Sequence, residues 1–262
     1  MTPLVLVPLF YQLLTAYQPR TVPRLSVISA TPTPAPIAIV TPTPINKPKN
    51  IGGYSRPYTI AVIGDSMIET LHPGLPDLQN SLLKYYPNFE FNLINLGYPS
   101  QNIEDAQRHL EDDLYAKNPD IVVIESFAYN NFGNSQDNLN RQWLDLGAIT
   151  TTISKKLPNT KIIIAATIAP NSVIFGNGTN NKFSSLEKIE KTKTIKLYLQ
   201  NAINFATSQK FPLANAYQYC LDSNNEGLKD CIDSTDNIHP SDYGTQVFSD
   251  TLAKTIFDNK LI

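Results

Sequence analysis

The sequence predicts an α/β protein, a three-layer α/β/α sandwich on a five-stranded parallel sheet, and two observations carry that expectation. From Tyr58 onward, short runs rich in Val, Ile, Leu and Phe alternate with longer segments of helical period. The runs do not alternate strictly between apolar and polar residues, as befits strands covered on both faces. Repetition of strand then helix, with right-handed crossovers, gives a doubly wound sheet.

In chain order, YTIAVIG (58–64) reads as the first strand, and Leu75 to Tyr86 as the helix that follows. FEFNLINLG (89–97) is the second strand, leading to a helix over Ile103 to Ala116. DIVVIESFA (120–128) precedes a helix over Asn138 to Lys156, and TKIIIAATIA (160–169) one over Ser184 to Ser208. A weaker fifth run, FPLANAY (211–217), comes before a last helix over Ser241 to Phe257. In such sheets ligands bind beyond the carboxyl ends of the strands, so the residues just after each run are the first candidates for chemistry.

Half of the 20 prolines fall in the first 50 residues, which contain no Asp or Glu and carry the tracts TPTPAP and TPTP. Such a stretch cannot bury enough apolar surface to offset its ordering entropy, so residues 18–51 read as a disordered, extended spacer and 52–262 as one folded domain. Residues 1–17 are apolar but lack a basic start and are broken by Pro8 and Gln12. They read as a signal peptide or membrane anchor, with an organelle transit peptide as the competitor. Export to the extracellular space or cell surface, with the segment as a membrane or surface tether, is the expectation.

Setting aside Arg20, Arg24, Lys47 and Lys49 from the chain's 21 basic residues leaves 17 against 23 acidic ones, about −6 for the folded part. A mildly acidic domain is a poor nucleic-acid binder. Cys220 and Cys231, with ten residues between them, either bridge, as export would allow, or are two unrelated thiols. Asn177-Gly178-Thr179 matches a glycosylation acceptor, a tripeptide too common to weigh alone. No cluster of His, Cys and carboxylates has metal-ligand spacing, and neither metal nor cofactor is expected.

Ser66 follows the first strand in Ile63-Gly64-Asp65-Ser66-Met67, where it is either an exposed nucleophile or an ordinary helix-capping serine. Asp236-Asn237-Ile238-His239-Pro240 places a carboxylate three residues before an imidazole. That pair can supply the base a serine needs and the group that fixes its tautomer. His72, in the turn LHPG, reads as a loop residue or a pocket rim, and His109, in QRHLEDD, as surface. Trp143 has helical spacing with Leu139 and Leu146 and reads as core, and SSLEKIEKTKTIKLYLQ as a solvated helix face.

Taken together, these residues resemble the SGNH or GDSL hydrolase superfamily of esterases and lipases, across nearly all of residues 58–258. GDSM at 64–67 resembles the GDSL block and DNIHP the DxxH block, in the family's order Ser, Asp, His. No GxSxG elbow of the α/β-hydrolases occurs. The resemblance implies a flavodoxin-like SGNH fold and a catalytic triad of Ser66, Asp236 and His239, with Asp65 and Gly97 supporting turns. It also implies an oxyanion hole from the Ser66 N–H, the Ser100 N–H and the Asn130 amide. Two blocks depart from the pattern. Ser100 stands where a glycine usually donates, with Gly97 expected to relieve that turn, and Ala128-Tyr129-Asn130-Asn131 replaces GxND, which puts the local backbone geometry in question. The activity implied is hydrolysis of O-acyl esters, short-chain or acetyl, on a small molecule or polysaccharide. The competing readings are an acyltransferase or lysophospholipase of the same superfamily, and an inactive surface module that binds glycans through the old cleft.

Overall fold

The computed structural model describes residues 56–262; the readings of residues 1–17 and 18–51, like the domain start at residue 52, lie outside the described residues. Five parallel strands form one sheet in the order β2-β1-β3-β4-β5: β1 (Tyr58–Gly64), β2 (Phe91–Gly97), β3 (Ile121–Glu125), β4 (Lys161–Ala166) and β5 (Leu213–Asn215). The helices are α1 (Ser66–Glu69), α2 (Pro76–Tyr85), α3 (Ile103–Gln107), α4 (Leu110–Asp113), α5 (Gln136–Lys156), α6 (Ser185–Gln209), α7 (Ala216–Tyr219) and α8 (Asp242–Asp258). None of them is long and apolar enough to cross a membrane.

Both faces of the sheet are covered, as the uninterrupted apolar strands require. Ile60 and Val62 of β1, Val123 of β3 and Ile163 of β4 pack with Leu78 and Leu82 of α2 and Phe248, Leu252 and Ile256 of α8. Their neighbours Ala61, Ile63, Val122, Ile124 and Ile164 face the other way, onto Leu146, Ile149 and Ile153 of α5 and Ala202 and Phe205 of α6. Burying each such Leu, Ile or Phe is worth about 1.5–3 kcal/mol, which drives the three layers together.

The helix expected over 103–116 is instead α3, α4 and a 3₁₀ turn at Tyr115–Lys117. Its apolar residues Ile103, Ala106, Leu110 and Leu114 keep helical spacing and are all buried. The axis nevertheless bends around Tyr98, whose ring stacks on His109 at 4.8 Å and whose hydroxyl donates to Asp113 at 2.8 Å. His109 is thus a packing residue at the head of α4 rather than plain surface. The fifth strand stops at Asn215 because that side chain accepts from the Gln218 N–H and starts α7. Trp143 packs edge-on against Phe205 at 5.3 Å, and Cys220 and Cys231 form a buried disulfide.

Register sets the site. Gly64 lies beside Gly97 and Ile63 beside Ile124, so β1, β2 and β3 end level with one another. From β1 the chain turns out to β2 and from β3 out to β4, in opposite directions across the sheet. That switch point between β1 and β3 is where doubly wound sheets open a crevice.

Candidate active site

Ser66 is the first residue of α1, and the cap is Asp65, whose Oδ1 accepts the Met67 N–H at 2.8 Å. The capping function that could have explained a serine here is therefore filled by its neighbour. Ser66 Oγ instead lies 2.9 Å from His239 Nε2.

His239 sits on a closed loop. Ile232 pairs with Pro240 in an antiparallel bridge, the Asp233 N–H donates to His239 O at 2.8 Å, and the Asn237 N–H to Asp233 O at 2.8 Å. Asn237 takes a left-handed φ of 60°, a conformation asparagine tolerates better than most residues. Within the loop, Asp236 Oδ1 accepts the N–H groups of Ile238 (2.7 Å) and His239 (3.1 Å), while Oδ2 lies 2.5 Å from His239 Nδ1. Burial works to raise the Asp236 carboxyl, but these hydrogen bonds, the His239 ring first, hold it below the usual value. An ionised carboxylate only accepts, so Nδ1 carries the proton and the Nε2 lone pair faces the Ser66 hydroxyl.

The loop after β4 buttresses this turn, a support the sequence did not announce. A Cβ on Gly178 would lie 1.6 Å from Thr235 O, so only glycine lets the two loops touch. The disulfide steadies the other side, since Cys231 O accepts the Ser241 N–H at 3.1 Å just beyond His239.

Tyr98-Pro99-Ser100-Gln101 is a tight turn closed by the Gln101 N–H on Tyr98 O at 3.2 Å, with Ser100 at φ 62°. Proline followed by a left-handed residue is the pattern of a type II turn, and the serine occupies the position that favours glycine. Gly97 has a different role from the expected relief of that turn. Its φ is not left-handed, but a Cβ there would lie 2.1 Å from Glu69 N, so it lets α1 cross close over β2. Asn95 ties the same junction, donating to Ile68 O at 2.8 Å and His72 O at 3.2 Å. His72 itself is an exposed loop residue at φ 69°.

The altered third block keeps a defined corner. Ala128, which stands for the pattern's glycine, needs no left-handed backbone, because the strained residue is Phe127, at φ 53°. Asn131, which stands for its aspartate, bonds within the loop to Ala128 O (2.8 Å) and the Gly133 N–H (3.0 Å). Asn130 is half-buried, and its amide and N–H lie against the Asp65 carboxylate and lower its pKa. Asp65 Oδ2 still has no hydrogen-bond partner of normal geometry, and burial leaves the carboxyl raised overall. The structure thus brings Ser66, His239 and Asp236 into one hydrogen-bonded row, with Asp65 joining the Ser66 turn to Asn130.

No family model and no curated protein matches the chain. Solved structures match its fold. A lipase/acylhydrolase from Enterococcus faecalis is 18% identical with a TM-score of 0.57, covering 77% of this chain and 96% of its own. A GDSL-like lipase from Bacteroides thetaiotaomicron is 15% identical with a TM-score of 0.57, covering 77% and 88%. An acetylxylan esterase from Geobacillus stearothermophilus is 15% identical with a TM-score of 0.50, covering 76% and 94%. The described chain has the flavodoxin-like fold of the GDSL-type hydrolases.

Proposed function

We propose that this chain is a serine ester hydrolase of the SGNH type, a reading carried by one observation: Ser66 Oγ 2.9 Å from His239 Nε2, with Nδ1 held by Asp236. His239 takes the hydroxyl proton as Oγ bonds to the ester carbonyl carbon, and the carbonyl electron pair moves onto oxygen. The Ser66 N–H, the Ser100 N–H and the Asn130 amide receive that charge. Collapse breaks the ester C–O bond and the leaving alkoxide takes the proton from Nε2. Water, deprotonated by the same nitrogen, then attacks the acyl carbon, and Oγ leaves with the proton.

The substrate we assign is an acetyl or short-chain ester on a carbohydrate. Support comes from the acetylxylan esterase among the structural neighbours and from the Thr/Pro tract that would hold an exported domain off a surface. The disulfide favours an oxidising compartment. The test is hydrolysis of p-nitrophenyl acetate, butyrate and octanoate by the full chain and by Ser66→Ala. Turnover that falls to background in the variant and declines with acyl length is expected. Equal background rates in both would return the choice to a glycan-binding module or an acyltransferase.

A further inference from the structure

Two acids lie under the site with no part in the chemistry above. Asp65 ends the β1 turn and Glu125 ends β3, and both are wholly buried. Glu125 is seated tightly: a Cβ on Gly64, beside it, would come within 2.8 Å of the Glu125 Cβ. A buried carboxyl in such a place is costly unless it organises its neighbours.

Its bonds reach the corner after β3 and the segment after β4. Glu125 Oε2 accepts the Phe127 N–H at 2.7 Å, and Oε1 lies 2.5 Å from Ser126 Oγ and 3.4 Å from Thr167 Oγ1, just past β4. From the opposite side Gln142, buried on α5, donates to Ser126 O at 2.7 Å. The corner so gripped is the strained one, with Phe127 left-handed, three residues before Asn130. Strain of this kind persists only where the surroundings over-determine it.

We propose that Glu125 is a positioning residue: its carboxyl clamps the Ser126–Phe127 corner and thereby sets where Asn130 meets the developing oxyanion. This clamp replaces the glycine-bearing turn that the third block lacks. Burial, then the charge of Asp65, raises the Glu125 carboxyl well above its usual value. A glutamine keeps an acceptor for the Phe127 N–H and places a donor against the Ser126 and Thr167 hydroxyls, without a group that titrates.

The inference rests on the hydrolase reading, so the assay separates the two. Wild type, Glu125→Gln, Glu125→Ala, Ser126→Ala and Ser66→Ala are compared in rate of labelling by a fluorophosphonate, whose phosphoryl oxygen would occupy the oxyanion position, and in kcat and KM for p-nitrophenyl acetate. Glu125→Gln should stay within about threefold of wild type. Glu125→Ala should lose about tenfold or more in labelling rate and kcat, with KM changed less than threefold. If a thermal melt shows Glu125→Ala unfolded, Ser126→Ala decides, with a loss of about threefold or more expected. Ser66-dependent labelling that proceeds equally fast in the Ala variants, or a Gln variant as slow as Ala, overturns the clamp and leaves the hydrolase intact. No Ser66-dependent labelling in wild type overturns both.

Discussion

Asp236→Asn is the sharpest perturbation of the proposed relay, because the structure dictates which way the new amide faces. Asp236 Oδ1 receives two backbone N–H groups, from Ile238 at 2.7 Å and His239 at 3.1 Å. An asparagine must leave its carbonyl oxygen there, since an NH₂ group would face two donors. Its NH₂ then occupies the Oδ2 position, 2.5 Å from Nδ1. Nδ1 is forced to accept, the ring proton moves to Nε2, and the nitrogen 2.9 Å from Ser66 Oγ is no longer a base. In a serine protease the equivalent change costs about 10⁴ in kcat, or about 5.5 kcal/mol of transition-state stabilisation, and the same loss is expected here. Asp236→Ala, which leaves the ring free to choose its tautomer, should lose no more than the asparagine variant. The assay is steady-state hydrolysis of p-nitrophenyl acetate with circular dichroism to show that the fold is kept. A folded Asp236→Asn within about tenfold of wild type would refute the tautomer argument.

Two further expectations concern strain and charge. Ser100→Gly should keep turnover within about twofold and hold or raise stability by up to about 1 kcal/mol, because the N–H remains and the left-handed backbone is relieved. Ser100→Pro should lose on the order of a hundredfold or more, having neither the N–H nor access to that φ, and equal rates for the two would remove Ser100 from the oxyanion site. Burial, then the charge of Glu104, pushes the Asp145 carboxyl from 3.8 up to about 6. The folded state therefore binds this proton more tightly than the unfolded chain, so the stabilising effect is complete below pH 3.8 and is lost as pH rises through about 6. Partial exposure discounts the effect to about 1 kcal/mol. Asp145→Asn should raise the urea midpoint at about pH 7.5 and leave it nearly unchanged at about pH 4, whereas a lowered midpoint at the higher pH would refute this sign.

Strand identity was legible because Ile, Val and Leu fill both faces of β1, β3 and β4, a pattern that neither an exposed strand nor an amphipathic helix produces. Boundaries were less so. Nothing within residues 103–116 announces that the Tyr98 ring and hydroxyl will bend that segment, since the contact comes from another element. Likewise Asn215 reads as the end of an apolar run until its side chain is seen capping α7. The proximity of Ser66 and His239 could be anticipated from the positions of their segments after β1 and before α8. The seating of the Asp236 turn could not, because Gly178 acts on it from a loop far away in the chain.

The departures at Ser100 and Ala128 show why a motif read alone misjudges a backbone. A glycine in such a pattern marks a conformation, and the conformation can be reached by other means. At the second block Pro99 sets the turn and Ser100 bears the left-handed backbone, at a cost of about 1–2 kcal/mol for a residue with a Cβ. At the third the left-handed residue is Phe127, next to the Ala128 that stands for the pattern's glycine, and a buried N–H bond to Glu125 holds it. Leaving that buried N–H unpaired would cost about 1–3 kcal/mol, comparable with the strain it opposes. Residues outside the motif thus carry the backbone constraint in this chain, so a missing glycine here predicts a compensating neighbour before it predicts a lost activity.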